Sequence, residues 1–402
     1  MGMPKKFGMF IHWGIYSLTG YHEQVRWRYF TPGTEYRKLV EKFNPMEFDA
    51  DEIVTLAKNA GMEYICFTTK HHDGFCMWDT ATTDFGIMNT PYKKDILKEL
   101  SEACARHGIA LSLYYSNPDW NYEYGYNSAS SHQLEIGEQK EDTAKFREFQ
   151  KAQIKELLTN YGKIYTFFWD IPTRIEDPTM NEYVRSLQPD IIINDRGWND
   201  PGDFSTPERD VPEGTRFERF TEACQSVGHQ SWGYCSDEDY YTTNFLTASI
   251  DKIRVMDGSY LLNVGPMPNG KLPERAVEII KAVGSWYNRV KEGFEGDPNP
   301  DILDNKNLLA VKNGSTLYVH IPKGLNFCGL TLKPIDVLPK SVTLLNNGCP
   351  LEFGIVTRPE DKDWKIQILR RQTLHIFNIP VEKFASETLV IKIELDESKI
   401  SV

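Results

Sequence analysis

The first 290 or so residues alternate between short apolar runs and longer stretches whose apolar positions recur at helical spacing. Phe7–Trp13, Tyr64–Thr69, Ile109–Tyr115, Tyr165–Asp170, Asp190–Arg196 and Gly258–Val264 are of strand length and mostly apolar. That is the pattern of parallel strands buried on both faces. Between them the spacing predicts helices over Phe48–Gly61, Asp95–His107, Lys140–Tyr161, Asn181–Leu187, Leu246–Met256 and Pro273–Val290. Asp49 is placed to cap the first helix, and Gly61, Gly108 and Gly162 are placed to stop helices. The rhythm weakens from Gly197 to Gly233, where Phe204–Glu208 and Ser231–Tyr234 are the candidate short strands. Repeated strand–helix units without a glycine-rich phosphate fingerprint predict a TIM-like (β/α) barrel, irregular in its later part, rather than an open doubly wound sheet.

The pattern changes after Gly293. Gly296–Pro300 reads as a linker, and the short runs Thr316–Ile321, Ser341–Leu345 and Leu389–Ile393 follow, separated by turns such as Asn347-Gly348. Without a long helical stretch, this part is expected to be an all-β sandwich. The division expected from sequence is a catalytic barrel over residues 1–296 and a C-terminal β-sandwich over 297–402.

Composition narrows the partners. A formal net charge of -12 over 402 residues argues against nucleic acid and anionic membrane surfaces. No run approaches the ~20 apolar residues of a membrane helix, so membrane insertion is not expected. The 7 cysteines lack CxxC spacing, and Cys66, Cys76, Cys104, Cys224 and Cys235 fall in or beside core elements; they read as buried free thiols, not as a zinc site or disulfide framework. The chain enters a strand almost at once, with no room for a signal peptide. The expected location is therefore cytoplasmic, or periplasmic or secreted if a leader has been trimmed. Oligomeric state is left open by the sequence.

Candidate chemistry gathers where the apolar runs end. The aromatic run Tyr165-Thr166-Phe167-Phe168-Trp169 delivers Asp170, and Pro172 prevents it from continuing as a central strand. Asp170 by itself reads as a nucleophile or as a turn cap. His71-His72-Asp73 follows another run. Its imidazoles read as hydrogen-bonding groups for ligand hydroxyls, as a metal site with His12 and Asp170, or as loop caps. Glu208 supplies a second carboxylate from a later loop, and a pair of carboxylates at strand ends suits glycoside hydrolysis. The polar, Tyr-rich stretch Asn121–Gly137 reads as a long functional loop.

Six motifs in order carry a resemblance: Phe7-Gly8-Met9-Phe10-Ile11-His12-Trp13-Gly14, Lys70-His71-His72-Asp73-Gly74-Phe75, Leu113-Tyr114-Tyr115-Ser116, Trp169-Asp170, Ser231-Trp232-Gly233-Tyr234 and Leu261-Leu262-Asn263-Val264-Gly265-Pro266. The set resembles the α-L-fucosidases of glycoside hydrolase family 29 over about the first 290 residues, and the later β module resembles that family's C-terminal domain. The resemblance implies a retaining, metal-independent exo-hydrolase with no cofactor, acting on terminal α-L-fucose of oligosaccharides or glycoconjugates. It implies Asp170 as nucleophile and Glu208 as acid/base, with Glu222 as a rival for the second role. It implies His12, Glu23, His71, His72, Tyr114 and Arg196 as groups that bind fucose hydroxyls or support the nucleophile, and Trp232 as the aromatic against the sugar's apolar edge.

Two departures stand beside the match. The family's usual Trp-Phe-Asp-Gly is Phe168-Trp169-Asp170-Ile171 here. Its usual Gly-Glu-Trp-Tyr is His22-Glu23-Gln24-Val25, so the aromatic contact after the glutamate is lost or taken over by Trp27. The alternatives are a metal-dependent barrel hydrolase built on His12, His71, His72 and Asp170, or a non-catalytic carbohydrate-binding protein.

Overall fold

The computed structural model describes residues 4–125, 132–134, 138–209, 213–303, 305–333, 339–359 and 370–396, with backbone alone at 357–359 and 370–372. Parts of the long loop expected over Asn121–Gly137 lie outside the described residues.

In chain order the first part contains β1 (Phe7–Ile11), α1 (Val25–Arg28), α2 (Gly33–Tyr36), α3 (Ala50–Asn59), β2 (Tyr64–Lys70), α4 (Ile96–His107), β3 (Ala110–Ser116), α5 (Thr143–Asn160), β4 (Ile164–Asp170), α6 (Thr179–Leu187), β5 (Ile192–Ile193), β6 (Glu222–Ser226), α7 (Thr243–Val255), β7 (Ser259–Val264) and α8 (Glu274–Val290). The seven strands form one parallel sheet in the order β5-β4-β3-β2-β1-β7-β6. Residues 204–208 join its two ends through parallel bridges Asn194 to Phe204, Ser205 to Thr221 and Glu208 to Cys224. The sheet therefore closes into a barrel, with the stretch carrying Glu208 as its eighth stave.

The local signals explain these elements. Asp49, Asp95 and Asp142 each accept a hydrogen bond from the backbone N–H three residues on, capping α3, α4 and α5; each cap contributes about 1 kcal/mol. Gly108 ends α4 in the left-handed conformation at φ +70°. β2 and β7 are buried at every position, as a strand covered on both faces must be.

Side chains alternate along each strand, so one set fills the barrel: Phe10, Tyr64, Cys66, Tyr114, Phe168, Cys224 and Leu261 pack as a cluster. Gly8 lacks a side chain because a Cβ there would sit 2.6 Å from the Tyr64 ring.

One expectation is corrected. Ser231–Tyr234 is not a strand but a loop, held by side-chain bonds described below. One further strand, β6, was not foreseen, and Glu222 is its first residue. The run Glu-Ala-Cys-Gln-Ser carries little apolar signal because polar side chains occupy that part of the barrel wall.

The chain divides into two compact units. One comprises residues 1–210, 219–241 and 259–281; the other comprises 211–218, 242–258 and 282–402. The second unit holds β8 (Asp297–Pro298), β9 (Leu309–Asn313), β10 (Thr316–Ile321), β11 (Leu330–Thr331), β12 (Ser341–Leu344), β13 (Cys349–Pro350), β14 (Glu352–Pro359), β15 (Arg370–Phe377) and β16 (Leu389–Glu394). A six-stranded sheet (β13-β12-β16-β10-β9-β8) and a three-stranded sheet (β11-β15-β14) share one core. Leu317, Val319, Val342 and Ile391 from the first sheet meet Leu330, Leu374 and Ile376 from the second, which is sandwich packing. The expected linker contributes edge strand β8, paired with β9; Pro298 is tolerated at that edge. Cys66, Cys76, Cys104, Cys224 and Cys235 are buried free thiols. Among the described residues, no helix is long and apolar enough to cross a membrane.

Candidate active site

The C-terminal ends of the barrel strands surround a cavity of about 120 Å³ lined by Phe10, His12, Glu23, Gln24, His71, His72, Tyr114, His132, Phe168, Asp170, Ile171, Glu208, Cys224 and Trp232. That is small beside the ~300–1,000 Å³ of sites for drug-sized ligands, so it suits a single compact unit. Of the residues expected from sequence, His12, Glu23, His71, His72, Tyr114, Asp170, Glu208 and Trp232 all line it, and Arg196 stands immediately behind the two carboxylates.

Asp170 is the last residue of β4, on the inward register of Phe168. Its Oδ2 accepts the Tyr114 hydroxyl at 2.6 Å, and its Oδ1 accepts Arg196 Nη1 at 2.8 Å and the Ile171 N–H at 2.9 Å. Burial pushes the carboxyl up, but the Arg196 charge and the hydrogen bonds from Tyr114 and Arg196 outweigh it and hold Asp170 below its ordinary value.

Glu208 receives a hydrogen bond from the same Arg196 Nη1. Desolvation and the neighbouring Asp170 charge hold Glu208 above its ordinary value, although Arg196 pulls the other way. Glu208 is also the wetter of the two, with 42% of its side chain exposed against 10% for Asp170. Because one nitrogen serves both, their nearest oxygens are separated by no more than two hydrogen-bond lengths, or ~6 Å. Two adjacent carboxyls whose pKa values are driven apart have the arrangement that an acid and base set requires.

The histidines are fixed by their partners. Asn263 donates through Nδ2 to the Trp232 carbonyl at 2.7 Å, so its Oδ1 must accept the His12 Nδ1–H at 2.7 Å. Ser116 donates to the Pro118 carbonyl at 2.7 Å and so accepts from His72 Nδ1 at 2.7 Å. Each ring is thereby left with Nε2 as an acceptor. Burial lowers both pKa values to about 4, which keeps both imidazoles neutral. His71 stacks on Tyr114 at 5.6 Å and is pushed well below its usual value, first by burial.

Beneath this layer, Lys70 is fully buried and donates to Asp119 at 2.9 Å and to Tyr115 at 3.0 Å. Asp119 Oδ1 in turn accepts the N–H groups of Asn121 and Tyr122. This ion pair shapes the loop after β3, and Trp120 N–H in that loop holds the His72 carbonyl at 2.8 Å.

Glu23 reaches in from the loop before α1. Its Oε2 accepts Ser231 Oγ at 2.7 Å, Trp232 N–H at 3.1 Å and Gly233 N–H at 3.2 Å. Those bonds, rather than strand pairing, seat the Trp232 loop. Burial raises the Glu23 carboxyl, but His22 and the Ser231 bond bring it below its usual value. The Trp232 ring stacks on His12 at 5.2 Å and 29°, and the Arg209 guanidinium lies 4.6 Å from its centroid.

Trp27 does not line the cavity. Gln24 occupies that wall, its Oε1 accepting Arg28 Nε at 3.2 Å. Sequence reasoning also missed His132, Phe10, Phe168 and Cys224 as lining residues. Phe10 and Phe168 are alternate-position core residues whose role follows from period two along β1 and β4, whereas Cys224 lies on the unforeseen β6 and His132 in a loop with no motif.

His71, His72 and Asp170 bring ligand atoms within 4.8 Å of one another, a grouping that could hold a metal; His12 is not part of it. The Arg196 guanidinium on Asp170 opposes a second cation there.

Glu222 stands elsewhere in the barrel. It accepts the Tyr64 hydroxyl at 2.5 Å, its Oε1 has no hydrogen-bond partner among the described residues, and burial raises its pKa to about 7. It does not line the cavity that holds Asp170.

Known proteins share the sequence pattern and the fold of this chain. The alpha-L-fucosidase family model matches residues 3–292. The plasma alpha-L-fucosidase of Rattus norvegicus is 26% identical over 318 residues, covering 70% of this chain and 67% of that protein. The chain spans about two thirds (65–70%) of the length of such curated relatives. Alpha-L-fucosidase isoenzyme 1 from Paenibacillus thiaminolyticus superposes with a TM-score of 0.83 at 29% identity, covering 98% of this chain and 97% of the other. An alpha-L-fucosidase of glycoside hydrolase family 29 from Bacteroides thetaiotaomicron, trapped as a covalent intermediate with 2-fluoro-fucosyl fluoride, superposes with a TM-score of 0.78 at 25% identity, covering 97% and 94%.

Proposed function

The chain belongs to the alpha-L-fucosidase family, and from that premise we propose that it is a retaining exo-α-L-fucosidase in which Asp170 is the nucleophile and Glu208 the acid/base. The observation that carries the proposal is the single Arg196 nitrogen holding both carboxylates at the rim of one small cavity. Their proximity suits the ~5–5.5 Å spacing of retaining enzymes better than the ~6.5–9.5 Å that inversion needs.

In the first step Asp170 attacks the anomeric carbon as the bond to the leaving oxygen breaks. Glu208 gives that oxygen its proton, and a fucosyl ester on Asp170 forms through an oxocarbenium-like transition state. In the second step Glu208, now a carboxylate, takes a proton from water. The water oxygen bonds to the anomeric carbon, the ester bond breaks, and fucose leaves with retained configuration. Arg196 keeps Asp170 ionised for the attack.

His12 and His72, neutral with Nε2 lone pairs, accept from sugar hydroxyls. His71, Glu23 and Tyr114 complete the polar wall, Tyr114 by donating to the nucleophile. Trp232, contacted by His12 and Arg209, is the aromatic set against the sugar's apolar edge. The substrate is a terminal α-L-fucoside of a glycan, a reading supported by the activity for which the related proteins are named. All of these groups fall within residues 1–296, read as the catalytic part.

The test is incubation with an aryl α-L-fucoside while NMR follows the first-formed anomer. Release of α-L-fucose before mutarotation is expected. First appearance of the β anomer removes the nucleophile role, and absence of hydrolysis removes the activity.

A further inference from the structure

We propose that His132 is a substrate-binding residue of this site and makes a hydrogen bond to the 2-hydroxyl of the fucosyl unit, an inference that rests on the fucosidase reading above. His132 belongs to no motif and comes from the long connection between β3 and α5, yet its position is built. Its own carbonyl accepts the Trp120 indole N–H at 3.0 Å, and the next carbonyl, of Gln133, accepts the Trp27 indole N–H at 3.0 Å. Two indoles from separate segments thus pin two successive peptide groups. Its ring lies 5.3 Å from the Trp27 ring at 35° and 5.6 Å from His72 at 51°, and it lines the cavity.

The hydroxyl it serves follows from the two sides of Asp170. Oδ1 faces Arg196 and, through it, Glu208, while Oδ2 faces Tyr114 and stands 3.8 Å from His72 Nε2. The leaving oxygen belongs on the Glu208 side. His132 flanks His72, on the other. The anomeric carbon has two ring neighbours, the ring oxygen and C2. The ring oxygen gains positive charge in the transition state and gives a hydrogen-bond donor no purchase. The C2 hydroxyl can be met by both imidazoles at once. His72, with Nδ1 committed to Ser116, accepts its proton through Nε2, and His132 donates to its lone pair. Hydrogen bonds at this hydroxyl strengthen as the oxocarbenium character grows, so the contact contributes to kcat and not to binding alone.

The experiment compares kcat/KM of the full chain and of His132→Phe, His132→Gln and His132→Ala on an aryl α-L-fucoside and on its 2-deoxy analogue. His132→Phe keeps a ring on Trp27 and guards against a folding defect. The Phe and Ala variants are expected to lose about tenfold or more on the parent fucoside, less than threefold on the 2-deoxy substrate, and to recover partly as Gln. Equal losses on the two substrates, or no loss on either, overturn the proposal. A wild-type chain inert towards the parent fucoside removes the fucosidase reading and this one together, whereas an active wild type with equal losses removes this one alone.

Discussion

Asp170 and Glu208 are tied to one atom, Nη1 of Arg196, which donates to Asp170 Oδ1 at 2.8 Å and also to Glu208 Oε1. The shared cation affects the two acids unequally. Asp170, drier and bonded also by Tyr114, is held below its ordinary value; Glu208 is held above its own. The mechanism proposed above needs Asp170 without its proton and Glu208 with it. kcat/KM should therefore rise with pH as Asp170 ionises below the usual ~3.9 and His12 and His72 become neutral at about 4, and fall as Glu208 ionises above the usual ~4.3. Replacing Arg196 by Met removes the largest influence lowering Asp170, so the acid limb of the pH profile should move to higher pH. An acid limb that stays in place would show that Arg196 does not set the Asp170 ionisation.

Asp170→Gly removes the attacking carboxylate and leaves space beside the anomeric carbon. Turnover of an aryl fucoside should fall by about 10⁴-fold or more, and added azide should restore part of it by attacking in place of Asp170. Near-normal turnover without azide would end the nucleophile assignment.

Glu208 and Glu222 can be separated by leaving-group ability. Glu208→Ala should cost ~10²–10⁴-fold on a natural fucoside whose leaving oxygen needs a proton, and far less on an aryl fucoside with a good leaving group. Glu222, bonded to Tyr64 and outside the cavity lining, should show no such dependence. The reverse pattern would transfer the acid/base role to Glu222.

Glu222 carries its own stability signature. Its folded pKa of about 7 lies above the unfolded value of ~4.5. Between those values the folded chain keeps a proton that the unfolded chain has lost, so stability falls as pH rises through this window and levels off above it. Glu222→Gln keeps an acceptor for Tyr64 and cannot ionise. It should flatten the fall and raise stability near pH 8 by up to ~3 kcal/mol, measured by denaturant unfolding at pH 5 and pH 8. A parallel fall in both proteins would contradict the buried-acid account.

Ile171 sits at φ +56°, the left-handed region that a β-branched side chain enters at a cost of ~1–3 kcal/mol. Ile171→Gly removes that strain while adding backbone freedom to the unfolded chain. The two nearly offset, so the melting temperature should hold or rise slightly even though a cavity-lining side chain is deleted. A loss above ~2 kcal/mol would show that packing of the Ile171 side chain dominates.

Much of the barrel was legible in the chain because strands buried on both faces leave continuous apolar runs, and because Asp caps and glycine stops mark helix ends chemically. Asp170, His12 and Tyr114 were findable for the same reason: each continues an inward register established by apolar neighbours. β6 was not, since its polar inner side chains erase the hydrophobic signal. Phe204–Glu208 was foreseen only as a candidate short strand, and it took long-range pairing with Asn194, Thr221 and Cys224 to make it the stave that closes the barrel. Sequence alone placed Trp232 on a strand, whereas Glu23, some two hundred residues earlier, seats it by three hydrogen bonds. The sequence by itself determined which residues could do chemistry and which registers would deliver them, because periodicity is a local property. Only the tertiary structure decided that Arg196 serves two carboxylates, that Glu222 lies outside the cavity and that His132 enters it. Those relationships join segments distant along the chain, and only packing brings such segments within hydrogen-bond reach.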